Sequence, residues 1–151
     1  MGLFDKIKSA VNSVTGGGAK VSIIPSQNEF SASEPIKFTV TATIKDADLN
    51  AKNVYVEIRS MERVNFEHSH EGHKMYINKD HQTYHQKIEI AGEQVLKGKT
   101  DYKWESTLNL PQTVQSTYNG MYSNHVWEIY AGLDVKGNDP DSGWVVINVK
   151  K

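Results

Sequence analysis

At 151 residues the chain has room for one domain with a proper hydrophobic core and little room for a second. Its 17 basic and 18 acidic side chains nearly cancel, which excludes the basic surplus that a nucleic-acid binder needs against phosphates. No cysteine is present, so disulfide frameworks and thiol chemistry are excluded, and a reducing compartment is the natural setting.

The first element is predicted in MGLFDKIKSAVNSVTGGG. On a helix of about 100° per residue, Leu3, Phe4, Ile7, Ala10, Val11 and Val14 share an arc of roughly 120°. Asp5, Lys6, Lys8, Ser9, Asn12 and Ser13 fill the remainder, and Asp5 suits the positive end of the helix dipole. The pattern predicts an amphipathic helix over 1–15, a glycine joint over 16–19 and a β domain over 20–151. The apolar arc is the expected contact with a partner, a lipid surface, a second copy or the domain itself. Only Lys6 and Lys8 are basic and Asp5 opposes them, so lipid affinity through this arc alone is weak.

Asp5, Lys6, Lys8 and Asn12 interrupt the apolar run that a secretory signal requires, and Lys6 stands where a myristoylation pattern needs Ser or Thr. No apolar run approaches the ~20 residues that span a bilayer. The expected location is the cytoplasm, peripheral at the inner face of the membrane where the helix meets lipid.

From Lys20 the apolar period becomes two. KVSIIP opens the β region, and PIKFTVTATIKD alternates Ile36, Phe38, Val40, Ala42 and Ile44 with lysines and threonines, the pattern of a half-buried strand. In NVYVEIRSMERV, Val54, Val56 and Ile58 face one way, and Tyr55, Glu57 and Arg59 the other. YHQKIEI supplies another strand. DYKWESTLNLP places Tyr102, Trp104, Ser106, Leu108 and Leu110 in one row, and HVWEIYAGLDVKG places Trp127, Ile129, Ala131, Leu133 and Val135 in another. WVVINVK closes the chain with Val145, Ile147 and Val149 buried and Trp144 on the opposite face. SQNEFSASEP, KDADLN, AGEQVLKGK, YNGMYSN and KGNDPDSG read as turns between them. The expectation is an all-β fold, an antiparallel β-sandwich of about seven strands with a short N-terminal amphipathic helix.

The order of these features carries a resemblance. Ser33, Glu34 and Pro35 lead into the long alternating strand, Leu110–Pro111 ends a later one, and Tyr118, Asn119 and Gly120 form a Tyr-x-Gly turn. Trp127, Ile129, Ala131, Leu133 and Asp134 then make a W-x-I-x-A-x-L-D strand. Over roughly residues 20–149 this resembles the amino-terminal lobe of arrestin-like proteins, and most closely the bacterial sporulation-control family. The resemblance implies an immunoglobulin-like, arrestin-like sandwich and a non-enzymatic scaffold or adaptor with a protein partner, often at membranes. It supplies no catalytic residues.

Histidine is the one concentrated polar signal. EHSHEGH carries His68, His70 and His73, followed by His81 and His85. On a strand His68 and His70 project to one face, close enough for neutral imidazoles to share an ion, and His73 comes round in a loop. A zinc-type site on these three residues is therefore the alternative to a binding module, and a solvated hairpin is the plain reading of the same segment. HEGH lacks the spacing of the zinc-protease motif, and DVKGNDPDSG lacks the alternate-residue carboxylates of a calcium loop. No nucleophile elbow, phosphate loop or dinucleotide fingerprint occurs, so no enzyme, no cofactor and no nucleic-acid partner are expected. Trp104 and Trp127 fall on buried phases and are expected in the core.

Overall fold

A computed structural model describes residues 17–151, and all regular structure among them is β. The helix expected over 1–15 and Gly16 of the joint lie outside the described residues. In chain order the strands are β1 (Ala19–Pro25), β2 (Glu29–Ser31), β3 (Ile36–Ile44), β4 (Leu49–His70), β5 (His73–Ala91), β6 (Gln94–Leu96), β7 (Asp101–Leu108), β8 (Tyr118–Asn119), β9 (Ser123–Val135) and β10 (Val145–Lys150). Ala19, expected in the joint, is the first residue of β1 and fully buried.

Alternation decides where each strand goes. In β3 the row Ile36, Phe38, Val40, Ala42 and Ile44 is buried, and Lys37 and Thr43 are exposed. β3 sits between β1 and β7, antiparallel to both, and the three make a small sheet. The larger sheet runs β2-β10-β9-β4-β5, with β6 also on β4 and β8 on β9. Its inner rows are Val54, Val56 and Ile58 of β4, Trp127, Ile129, Ala131 and Leu133 of β9, and Val145, Ile147 and Val149 of β10. The two sheets close on one core, the arrangement of a β-sandwich. Burying each large side chain of these rows contributes about 1.5–3 kcal/mol.

Two expectations are corrected and a third is met in part. The described residues hold ten strands, not about seven, because β2, β6 and β8 lie inside segments that read as turns. Strands of two or three residues are too short to show a period; β2 and β6 pair with distant strands, and β8 with the start of the next one. β2 also pairs parallel with β10, so the sandwich is not wholly antiparallel. Trp104 is half-buried and stacks on Tyr102 with ring centroids 5.9 Å apart. It lies on β7, the edge of the small sheet, and packs against the core from the inner phase expected of it.

The two sheets differ in length, and this positions the site. β4 and β5 have 22 and 19 residues, whereas β1, β3 and β7 have 7, 9 and 8. β9 accompanies β4 to the Val64–Ser123 pair, and the Tyr122 carbonyl accepts the Asn65 amide at 2.9 Å. From Phe66 to Ile77 the chain continues as a two-stranded ribbon beyond the sandwich.

Candidate functional site

The ribbon closes at Glu71–Gly72, whose φ values of 50° and 76° are those of a two-residue type I′ hairpin turn. EHSHEGH is thus a hairpin tip, with His70 paired to His73 across the strands. His73 opens β5 and does not sit in a loop. His68 and His70 lie on one face with parallel rings 6.4 Å apart. Among the described residues no group of three or more His, Asp or Glu side chains is gathered to hold a metal. His81 and His85 also belong to β5, so they do not share a helical turn.

Cross-strand partners share a face, so the inner row of β4 continues outward past the core. After Ile58 come Ser60, Glu62, Val64, Phe66, His68 and His70 on β4. Beside them stand His81, Lys79, Ile77, Met75 and His73 on β5. Val64, Phe66, Met75 and Ile77 form an apolar stretch in the middle of this row, and Tyr122 packs edge-on against Phe66 at 5.6 Å. No strand of the small sheet reaches it. Met75, Tyr122 and the neighbouring Met121 are 60%, 59% and 85% exposed.

At the base of the ribbon a polar cluster replaces the apolar core. Ser60 opposes Tyr84 and Met61 opposes Gln82, so Thr83 is an extra residue, a β-bulge. The bulge turns the Thr83 hydroxyl toward Ser60 Oγ at 2.7 Å and His125 Nε2 at 2.7 Å. The buried His125 donates from Nδ1 to the Ser116 carbonyl at 3.0 Å, and its Nε2 meets the Thr83 hydroxyl. Trp127 Nε1 donates to the Gln115 carbonyl at 2.9 Å. These two donors pin the segment from Pro111 to Thr117 across the end of the sandwich. A cleft of about 420 Å³ opens on one side, lined by Ser60, Thr83, Pro111 and Gln115. A second of about 350 Å³ lies by Glu62, Tyr118, His125 and Lys151.

On the outer face of the large sheet the charged and aromatic side chains largely partner one another. Glu128 is buried between Arg59, at 2.8 Å, and Arg63, at 3.5 Å. The Arg59 guanidinium lies 3.9 Å over the Trp144 ring, and Trp144 meets Tyr130 at 5.0 Å. Trp144 thus occupies the face expected of it, and Tyr130 joins it there. Asp139 accepts from the Tyr55 hydroxyl at 2.8 Å and the Val135 amide at 3.1 Å, and Asp134 accepts from Asn53. DVKGNDPDSG is held by these bonds. Leu3, Phe4, Ile7, Ala10, Val11 and Val14, the expected contact arc, lie outside the described residues.

No family model matches this chain, and no curated protein sequence matches it. Among solved structures, the chain is similar to the crystal structure of Spo0M, a sporulation control protein from Bacillus subtilis, with a TM-score of 0.64 over 90% of this chain. The fold is Spo0M-like. Sequence identity is 16%, so the likeness is one of fold, and the chain spans 51% of the Spo0M chain.

Sequence reasoning missed Ser60, Thr83 and His125 because a bulge leaves no periodic trace. The apolar ribbon was readable in part: Val64 and Phe66 continue the two-residue period of Val54, Val56 and Ile58.

Proposed function

We propose that the chain is a non-enzymatic binding module of arrestin-like type, an adaptor that takes a protein partner on the inner face of its β4–β5 ribbon. The observation that carries this reading is the mismatch in sheet length, which leaves Val64, Phe66, Met75 and Ile77 in a row that no layer covers among the described residues. A soluble chain gains by covering such a row, and a partner can do so. The likeness to Spo0M, whose name states a control role, agrees with a protein that acts by binding. In the same reading the apolar arc of residues 3–14 is a second contact, with lipid at the inner face of the membrane or with protein. The metal-binding alternative has two adjacent imidazoles, His68 and His70, and is the weaker reading because no third ligand converges on them.

A photo-cross-linking amino acid tests the reading. Benzoylphenylalanine in place of Met75 on the ribbon should give discrete cross-linked species in cells, and the same group in place of the exposed Val95 on β6 should not. No species at position 75, or the same species at both positions, overturns it.

A further inference from the structure

We infer that Asn119 is a site of spontaneous modification: the Gly120 backbone nitrogen closes on the Asn119 side chain, and the isoaspartate that results opens the β8–β9 turn. Asn119–Gly120 is the one Asn-Gly step in the sequence. The ordinary structural use of that step is a type I′ turn, in which both residues take positive φ. Here neither does, and the turn of that kind is built by Glu71–Gly72 instead. Asn119 is the last residue of β8, and Gly120 leads into the turn through Met121 and Tyr122.

The step uses only the chain and water. The Gly120 amide loses its proton to hydroxide, and its nitrogen attacks the side-chain carbonyl carbon of Asn119. That C–N bond forms, the bond to the side-chain amino group breaks, and ammonia leaves. Water then opens the cyclic imide at either carbonyl and gives aspartate or isoaspartate. Glycine favours the attack because no Cβ screens its nitrogen.

The surroundings open Asn119 to this step and shield its competitors. Asn119 and Gly120 are exposed, as are Tyr118, Met121 and Tyr122 around them. β8 is held by two residue pairs on β9, and the Gly120 amide donates to the Ser123 carbonyl at 2.8 Å. So short a pairing is marginal by itself, and local opening frees the Gly120 nitrogen while the sandwich stays folded. Asn124 precedes His125 but lies within β9, paired to Arg63 on one side and Asn119 on the other, with its Oδ1 buried. Asn138 precedes Asp139, whose carboxylate is fixed by the Tyr55 hydroxyl and the Val135 amide.

The effect of the product follows from its length. Isoaspartate routes the backbone through the side chain and inserts one extra carbon before residue 120. The Asn119–Asn124 pair and the Gly120–Ser123 bond then no longer fit together. The same turn carries Tyr122, whose ring meets Phe66 and whose carbonyl accepts the Asn65 amide. Conversion therefore loosens the turn where it braces the base of the ribbon. None of this depends on what the ribbon binds.

Incubation of the folded full chain in warm, mildly alkaline buffer tests this, read by peptide mapping in a mass spectrometer and by isoaspartyl methyltransferase labelling. Asn119 should convert ahead of Asn124 and Asn138, chiefly to isoaspartate, and about tenfold more slowly than in the chain unfolded in urea. Asn119→Gln should abolish the signal at this position. Gly120→Ala, at a residue without positive φ, should slow it severalfold. In the isoaspartate form, separated by ion exchange, hydrogen exchange at the Asn65 and Gly120 amides should quicken while the buried Val40 stays protected. Asn119→Asp adds the charge without the extra carbon and should leave both amides protected. An Asn119 that stays intact in the folded chain long after the unfolded chain has converted overturns the site, as does faster conversion at Asn124 or Asn138. Unchanged exchange at Asn65 and Gly120 in the isoaspartate form overturns the opening of the turn.

Discussion

Tyr55 lies across from Gly132 on the outer face of the large sheet, and a Cβ at Gly132 would meet its ring at 2.4 Å. The glycine in the W-x-I-x-A-x-L-D strand is therefore the floor on which the Tyr55 ring rests, and Gly132→Ala would displace the ring. Burial and the hydrogen bond to Asp139 push the Tyr55 phenol well above its ordinary value. Burial and Asp141 do the same for Tyr130, and burial alone raises Tyr84. These phenols hold the fold while protonated. Their contribution is complete below the ordinary tyrosine value of about 10 and is lost as pH rises toward the elevated folded values. Tyr55→Phe should cost about 1–2 kcal/mol in urea unfolding at neutral pH, since Asp139 loses a donor. It should also flatten the alkaline fall in stability. In an ultraviolet titration Tyr55, Tyr84 and Tyr130 should ionise only as the fold opens, and free ionisation of all tyrosines in the folded protein would refute this.

The bulge at Thr83 is the feature of β5 that a local reading could not supply. Removing that one residue leaves Met61 opposite Gln82 and Ser60 opposite Tyr84 in unbroken alternation, so the ladder should re-form. The loss falls on His125 Nε2 and Ser60 Oγ, which then lack the Thr83 hydroxyl. We expect deletion of Thr83 to lower stability by about 1–3 kcal/mol with an unchanged urea slope, as measured by equilibrium unfolding. A collapse of the cooperative transition would show instead that the bulge sets the register. β3, β9 and β10 were legible because each faces the core with one side and the period of two survives intact. β2 and β6 were not, since each pairs with a strand distant in sequence, and β8 is a two-residue hairpin arm too short to show a period. The histidines were visible as a cluster. That they cap a type I′ turn was not read, although Glu-Gly between two histidines is the local signal for it.

The sandwich and the ribbon answer to different forces. The sandwich is held by its two-layer core, whereas the ribbon beyond Asn65 adds only a hairpin that no layer covers among the described residues. Replacing residues 65–78 by Asn-Gly should therefore move the midpoint of thermal unfolding by only a few degrees, as judged by calorimetry. A large loss of stability would mean that the ribbon is part of the core after all. Composition and periodicity by themselves determined an all-β domain from Lys20 onward, the buried rows of β3, β4, β9 and β10, and the turn-rich joints, because alternation is a local property of a half-buried strand. Tertiary structure alone decided that β4 and β5 outrun the small sheet. It also decided that Thr83 meets His125 across forty-two residues, and that the aspartates of DVKGNDPDSG answer to tyrosines and backbone amides. Each of those depends on how far one sheet extends past another or on which distant strands become neighbours, and neither quantity is written in a local period.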